Sequence, residues 1–138
     1  MACATRRAKV AAVGNFDYII VGAGSAGCVL AERLSADGGH RVLLLEAGGT
    51  DSSFWIKTPI GYGRTFADAS VNWKYQAAPS PGLGGRTMYW PRGRVLGGSS
   101  SINALVYCRG MPADFEDWRQ MGNPGWGWDE VRPYFEKS

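Results

Sequence analysis

Apolar residues fall along this chain in three rhythms. Phe16–Val21 (FDYIIV) and Arg41–Leu45 (RVLLL) are short apolar runs, the first rich in aromatic and β-branched residues. Each reads as a buried strand of a parallel sheet. Between them Leu30 and Leu34 stand four apart with Ala31 beside them, which is a helical stripe, and Gly38-Gly39 closes it. Residues 47–92 carry no long helical period. Trp55, Pro59, Trp73, Pro79, Pro81 and Pro91 punctuate them, and two short strands are expected near Trp73–Gln76 and Arg86–Tyr89. Further on, Gly97-Gly98 and Ser99–Ser101 predict the start of a helix whose apolar face is Ile102, Leu105 and Val106. Asp114, Glu116 and Asp117 read as a solvated helix face. Asp129 caps a last helix through Val131, Tyr134 and Phe135, with Pro133 in its opening stretch.

The first strand runs straight into GAGSAG, so Gly22, Gly24 and Gly27 have the GxGxxG spacing. Gly22 permits a tight turn, Gly24 leaves bare backbone for a pyrophosphate, and Gly27 lets the helix pack close to the sheet. The helix N-terminus offers free N–H groups and a partial positive charge to phosphates. Glu46 ends the second strand, where a carboxylate can accept hydrogen bonds from an adenosine ribose. Strand, glycines, helix, strand and acid occur in the order that dinucleotide binding requires, within about 30 residues. The fingerprint does not separate FAD from NAD, but Glu46 would repel the 2′-phosphate of NADP. The expected fold class is therefore α/β: an FAD/NAD(P)-binding, Rossmann-like domain with a parallel sheet and a loop-rich insertion over 47–92. Gly97-Gly98-Ser99-Ser100 is a second turn suited to an anion or to a capped helix packing on the core.

Composition narrows the picture. With 138 residues, 45% hydrophobic and 20% charged, the chain is globular and long enough for one domain with a core. Its net charge of +3 is partly local, because Arg6, Arg7 and Lys9 all lie near the start. No basic face interleaved with aromatics appears, so a nucleic-acid partner is not expected. Cys3, Cys28 and Cys108 form no CxxC, so neither a disulfide framework nor a metal site is expected. No apolar run approaches the ~18 residues of a membrane span. Residues 1–15 are basic and free of acids, and read as a disordered leader. A cytoplasmic location is expected; a basic, acid-poor leader is also the pattern of an organellar, here mitochondrial, targeting segment.

Residues 93–110, GRVLGGSSSINALVYCRG, carry a resemblance. They are similar to the first signature of the glucose–methanol–choline (GMC) oxidoreductases, a family of FAD-dependent alcohol oxidases and dehydrogenases. The matching positions are Gly93, Arg94, Leu96, Gly97, Gly98, Ser99, Ser100, Ile102, Asn103, Tyr107, Gly110 and Glu116. FDYIIVGAGSAGCVLAERLS and LLLEAGG resemble the family's N-terminal FAD site. The stretch from Asn72 to Asn103 resembles its choline-dehydrogenase-like branch. The resemblance covers residues 16–138. It implies that Gly22, Gly24, Ser25, Ala26 and Gly27 surround the pyrophosphate and that Glu46 binds the ribose. It further implies that Val95, Gly98 and Ser99 line the flavin or its ribityl-phosphate arm, and that Asn103, Ala104 and Val106 approach the isoalloxazine. The signature segment has no histidine of the kind that tethers flavin in some members, so non-covalent FAD is implied.

The resemblance also implies parts that this sequence does not carry. Members place a catalytic histidine near a distant C-terminus, whereas the one histidine here, His40, enters the second strand. No catalytic residue is therefore assigned. Residues 16–138 read as the N-terminal part of the FAD-binding domain, incomplete at the C-terminus and without a substrate domain. The six tryptophans are expected to lack some of their packing partners, so the piece needs the rest of the enzyme for stability. The intact enzyme would move a hydride from the CH–OH group of an alcohol, choline or another primary alcohol, to flavin N5, and the chain alone would be inactive. The other readings are a stand-alone flavin or nucleotide carrier and a non-functional remnant.

Overall fold

A computed structural model describes residues 14–137, so residues 1–13 of the expected leader lie outside the described residues. The chain divides into two compact units, Met1–Ala104 and Leu105–Ser138.

The first unit begins with β1 (Tyr18–Val21), α1 (Ser25–Ser35) and β2 (Val42–Leu45). The strands pair in parallel, from Tyr18 opposite Val42 to Val21 opposite Leu45, with α1 in the crossover. The helix stops where the sequence pattern places its end: Gly38 takes a left-handed φ of 70° and its N–H bonds the Ser35 carbonyl at 3.0 Å. Residues 47–92 are not free of helix, as the sequence pattern suggests. Two single turns, α2 (Phe54–Lys57) and α3 (Tyr62–Thr65), flank a 3-10 turn at Pro59–Gly61. They pack so closely that a Cβ on Gly61 would overlap the Trp55 carbonyl. The hairpin of β3 (Tyr75–Ala77) and β4 (Met88–Trp90) is antiparallel, and both strands lie within two residues of their expected starts.

The helix expected from Ser99 onward does not form. Gly98–Ser101 make one 3-10 turn, and Leu105 adopts a left-handed φ of 61°. The serines explain the difference. Ser100 Oγ donates to the Gly97 carbonyl at 2.6 Å and Ser101 Oγ to the Leu96 carbonyl at 2.7 Å, so these hydroxyls point back into the turn rather than capping N–H groups ahead.

The core of this unit is small. Val71, Val95 and Ile102 form it, with Ile56 packed against them, and Ala23 is buried separately. The strands expected to be buried are open instead: Ile19 is 61% and Val21 84% exposed. A parallel strand normally has both faces covered. Here, among the described residues, β1 and β2 form a two-stranded sheet. Five of the six tryptophans are 39–52% exposed.

The second unit holds α4 (Pro112–Gln120) and α5 (Trp128–Glu136) around Phe115, whose ring lies 5.4–5.6 Å from those of Trp118, Trp128 and Phe135. The acids here are not merely a solvated face. Asp114 accepts the Met111 N–H at 2.7 Å, capping α4, and Glu130 accepts the Gly127 N–H at 2.8 Å, so α5 starts from Gly127 rather than Asp129. Glu116 pairs with Arg119 and accepts the Trp128 N–H at 3.1 Å, tying α4 to α5.

Two outcomes are expected. Val95 is fully enclosed, and Val95→Ala removes two methyl groups from the core, which costs about 2 kcal/mol in urea unfolding. The Arg119 ion pair, then the Trp128 N–H, hold the Glu116 carboxyl below its ordinary value. The stabilisation it gives is thus present above the unfolded-state pKa and lost as the pH falls through the lowered folded value. Acid titration followed by tryptophan emission is expected to show this loss, and Glu116→Gln to flatten it.

Candidate functional site

Both glycine-rich segments meet at the carboxyl end of β1. Gly22 takes a φ of 99° and donates its N–H to the Leu45 carbonyl at 2.7 Å, turning the chain off the sheet. Gly24 is the N-cap of α1, with no side chain capping it, and the first backbone bond of the helix runs from the Cys28 N–H to the Gly24 carbonyl. The N–H groups of Ser25, Ala26 and Gly27 therefore lie in the turn that intrahelical bonding leaves open. A Cβ on Gly27 would overlap the Gly22 carbonyl oxygen, so this position sets the helix-to-turn distance. A Cβ on Gly24 would meet nothing within 4 Å. The two glycines thus differ: one is filled against by protein, the other faces open space.

The second segment is stitched to the first through main chain. Gly97 donates its N–H to the Ala23 carbonyl at 2.8 Å, and Leu96 donates to the Gly49 carbonyl at 2.9 Å. A Cβ on Gly98 would come within 2.9 Å of the Gly24 Cα, and one on Gly48 or Gly93 would overlap the backbone of Arg94 or Gly98. Glu46 completes the junction. Its two carboxylate oxygens accept the N–H groups of Ala23 and Gly48, each at 2.8 Å.

These turns enclose a crevice of about 560 Å³. That volume lies within the range of small-molecule sites, roughly 300–1,000 Å³. Of the residues expected at a site, Gly22, Gly24, Glu46, Gly98 and Ser99 line it. Ser25, Ala26 and Gly27 form the adjoining helix turn. The Val95 side chain lies in the core beneath, and its main chain bridges to Gly49. Asn103 and Ala104 are exposed, outside the lining, and Val106 belongs to the second unit.

Sequence reasoning missed the opposite wall. Trp73 and Tyr75 stand there with rings stacked at 5.8 Å and 6°, and Arg92 and Gly93 lie beside them. The Arg94 guanidinium sits 5.0 Å over the Trp73 ring. Spacing carries no usable signal for this wall, because the left-handed Lys74 breaks the strand alternation between the two rings. His40 lies just before β2, its ring 5.2 Å from that of Tyr18 at the start of β1. It thus occupies the amino end of the sheet, while the crevice opens at the carboxyl end, where ligands bind in open α/β sheets. Among the described residues no cluster of histidines, cysteines or acids suits a metal ion, and no helix is long and apolar enough to cross a membrane.

Comparison with known proteins gives this junction a family. The family model described as GMC oxidoreductase matches residues 16–138. This chain belongs to the GMC oxidoreductase family. It is 51% identical over 124 residues to the oxygen-dependent choline dehydrogenase of Photobacterium profundum, covering 90% of this chain and 22% of that protein. Among solved structures it is similar to pyridoxine 4-oxidase from Mesorbium loti, with a TM-score of 0.80 and 44% identity over 88% of this chain and 24% of that one. It is also similar to an FAD-dependent oxidoreductase from Chaetomium thermophilum, with a TM-score of 0.74 and 37% identity over 90% of this chain and 21% of that one. The chain therefore spans about a fifth to a quarter of the length of these GMC relatives.

The glycine pair sets up a contrast. A Cβ at position 24 has nothing within 4 Å, so Gly24→Val is expected to keep the fold, losing the ~1 kcal/mol of a poorer N-cap, while abolishing nucleotide binding. Gly27→Ala is expected to cost far more stability, because its Cβ collides with backbone. Thermal unfolding alongside nucleotide titration of both variants checks the pair.

Proposed function

We propose that residues 16–138 form the N-terminal part of an FAD-binding domain and hold the cofactor non-covalently in the crevice between the two glycine-rich turns. The observation that supports this reading is the open space over Gly24, flanked by the bare N-terminus of α1 and by Gly98. A diphosphate resting there would accept the N–H groups of Ser25, Ala26 and Gly27, with the helix dipole favouring its charge. Glu46 spends one lone pair of each oxygen on Ala23 and Gly48, which leaves acceptors for ribose hydroxyls. The same carboxylate disfavours a 2′-phosphate. Gly98 and Ser99 line the crevice, and the family resemblance assigns Asn103, Ala104 and Val106, outside that lining, to the flavin end.

The activity proposed for the whole protein is oxidation of the CH–OH group of an alcohol, choline or another primary alcohol. FAD, when bound, supplies the hydride acceptor. The residues described here bind and orient it and bring no base to the crevice, since His40 lies at the far end of the sheet.

Titrating the chain with FAD, read by quenching of flavin fluorescence, is expected to show saturable one-to-one binding that ADP competes away and that NADP, with its 2′-phosphate, displaces less well than NAD. The bound flavin is expected to stay oxidised when choline is added anaerobically. Absence of saturable binding would falsify the cofactor assignment, and reduction by choline would overturn the inactivity of the chain alone.

A further inference from the structure

Asn72 is 2% exposed and fills its whole hydrogen-bonding capacity. Its Nδ2 donates to the Phe66 carbonyl at 3.0 Å and to Tyr89 Oη at 3.1 Å. Its Oδ1 accepts the N–H of Lys74 at 2.9 Å and of Arg92 at 3.0 Å. This network fixes the amide orientation, since a flipped side chain would set its NH₂ against two N–H donors and its oxygen against a carbonyl.

The two bonds to Oδ1 reach the two segments that lead into and out of the β3–β4 hairpin, which the Trp73 N–H also joins by donating to the Arg92 carbonyl at 2.9 Å. Lys74 separates Trp73 from Tyr75 and holds a left-handed φ of 55°, a conformation that a residue with a Cβ keeps only when its surroundings enforce it. Arg92 precedes Gly93, where the second glycine segment starts, and Asn72 itself bridges Gly93. One amide oxygen thus joins the stacked aromatic pair to the segment that leads to Gly98.

From this we infer that Asn72 is a positioning residue for the nucleotide crevice: it touches no cofactor, and its amide oxygen fixes the Lys74 and Arg92 main chain in the two paired segments of one wall, so that Trp73, Tyr75, Arg92 and Gly93 face the space that FAD binding uses. The inference rests on the FAD reading above. Its two halves separate chemically. Asn72→Asp keeps an acceptor facing Lys74 and Arg92 while losing the Nδ2 donors. Tyr89→Phe removes a partner of Nδ2 and leaves the oxygen untouched. Asn72→Ala removes everything.

The experiment is FAD titration of the chain and the three variants, with unfolding curves and the near-ultraviolet circular dichroism of the aromatic pair recorded on each. FAD affinity is expected to fall roughly tenfold or more in Asn72→Ala, about the effect of one to two lost hydrogen bonds, and to change less than about threefold in Asn72→Asp and Tyr89→Phe even where they lose stability. The aromatic signal is expected to change in Asn72→Ala and not in Asn72→Asp, the two variants that keep every aromatic residue. Unaltered affinity in Asn72→Ala, or an Asp variant whose affinity falls in step with its stability, overturns the inference and leaves the FAD reading standing. If Asn72→Ala does not fold, the Asp variant decides by the same criterion. No FAD binding by the unaltered chain overturns both together.

Discussion

Main chain meets main chain at Gly24 and Gly98, in a space that a single Cβ would close. Everything in the first unit that resembles a site follows from that approach. It brings a turn near residue 23 against a turn near residue 98, more than seventy residues later, and the Gly97 N–H bonding the Ala23 carbonyl fixes their register. Glu46 serves the same junction from a third direction, taking an N–H from each of the two turns beside it. The carboxylate that reads as a ligand group from sequence is thus a structural tie in this unit.

Hydrophobic burial in the unit is small. Its core amounts to Val71, Val95 and Ile102 with few neighbours, while aliphatic side chains of β1 and α1 face outward. Buried main-chain bonds and a fully satisfied Asn72 supply specificity of shape. The exposed sheet surface, by contrast, is apolar area that a parallel sheet ordinarily covers. The chain spans about a fifth to a quarter of the length of the GMC oxidoreductase relatives it matches.

The sequence made local features legible and hid most distant ones. The strand–turn–helix–strand of residues 18–45 follows from short-range patterns, and its elements start within two residues of expectation. The glycine roles were likewise readable, because each depends on neighbours or on a known motif. The helix predicted after Ser99 failed where two chemistries compete: a serine before an apolar run can cap forward or bond backward, and here Ser100 and Ser101 bond backward. Trp73, Tyr75 and Arg92 could not be placed on the crevice from spacing alone. The hydrogen-bond partners of Asn72 include residues 17 and 20 positions away, Tyr89 and Arg92. Nor does periodicity reveal that Val95, inside the signature, turns its side chain to the core.

A crevice framed by Gly22, Gly24, Gly48, Gly93 and Gly98 stores its specificity in side chains that are missing. Every missense change at such a codon adds atoms, and none can subtract them. Inherited variation in the protein should therefore be read asymmetrically: drift is cheap on the loop-rich exterior, while even the mildest replacement at these few positions acts as a plug or a wedge.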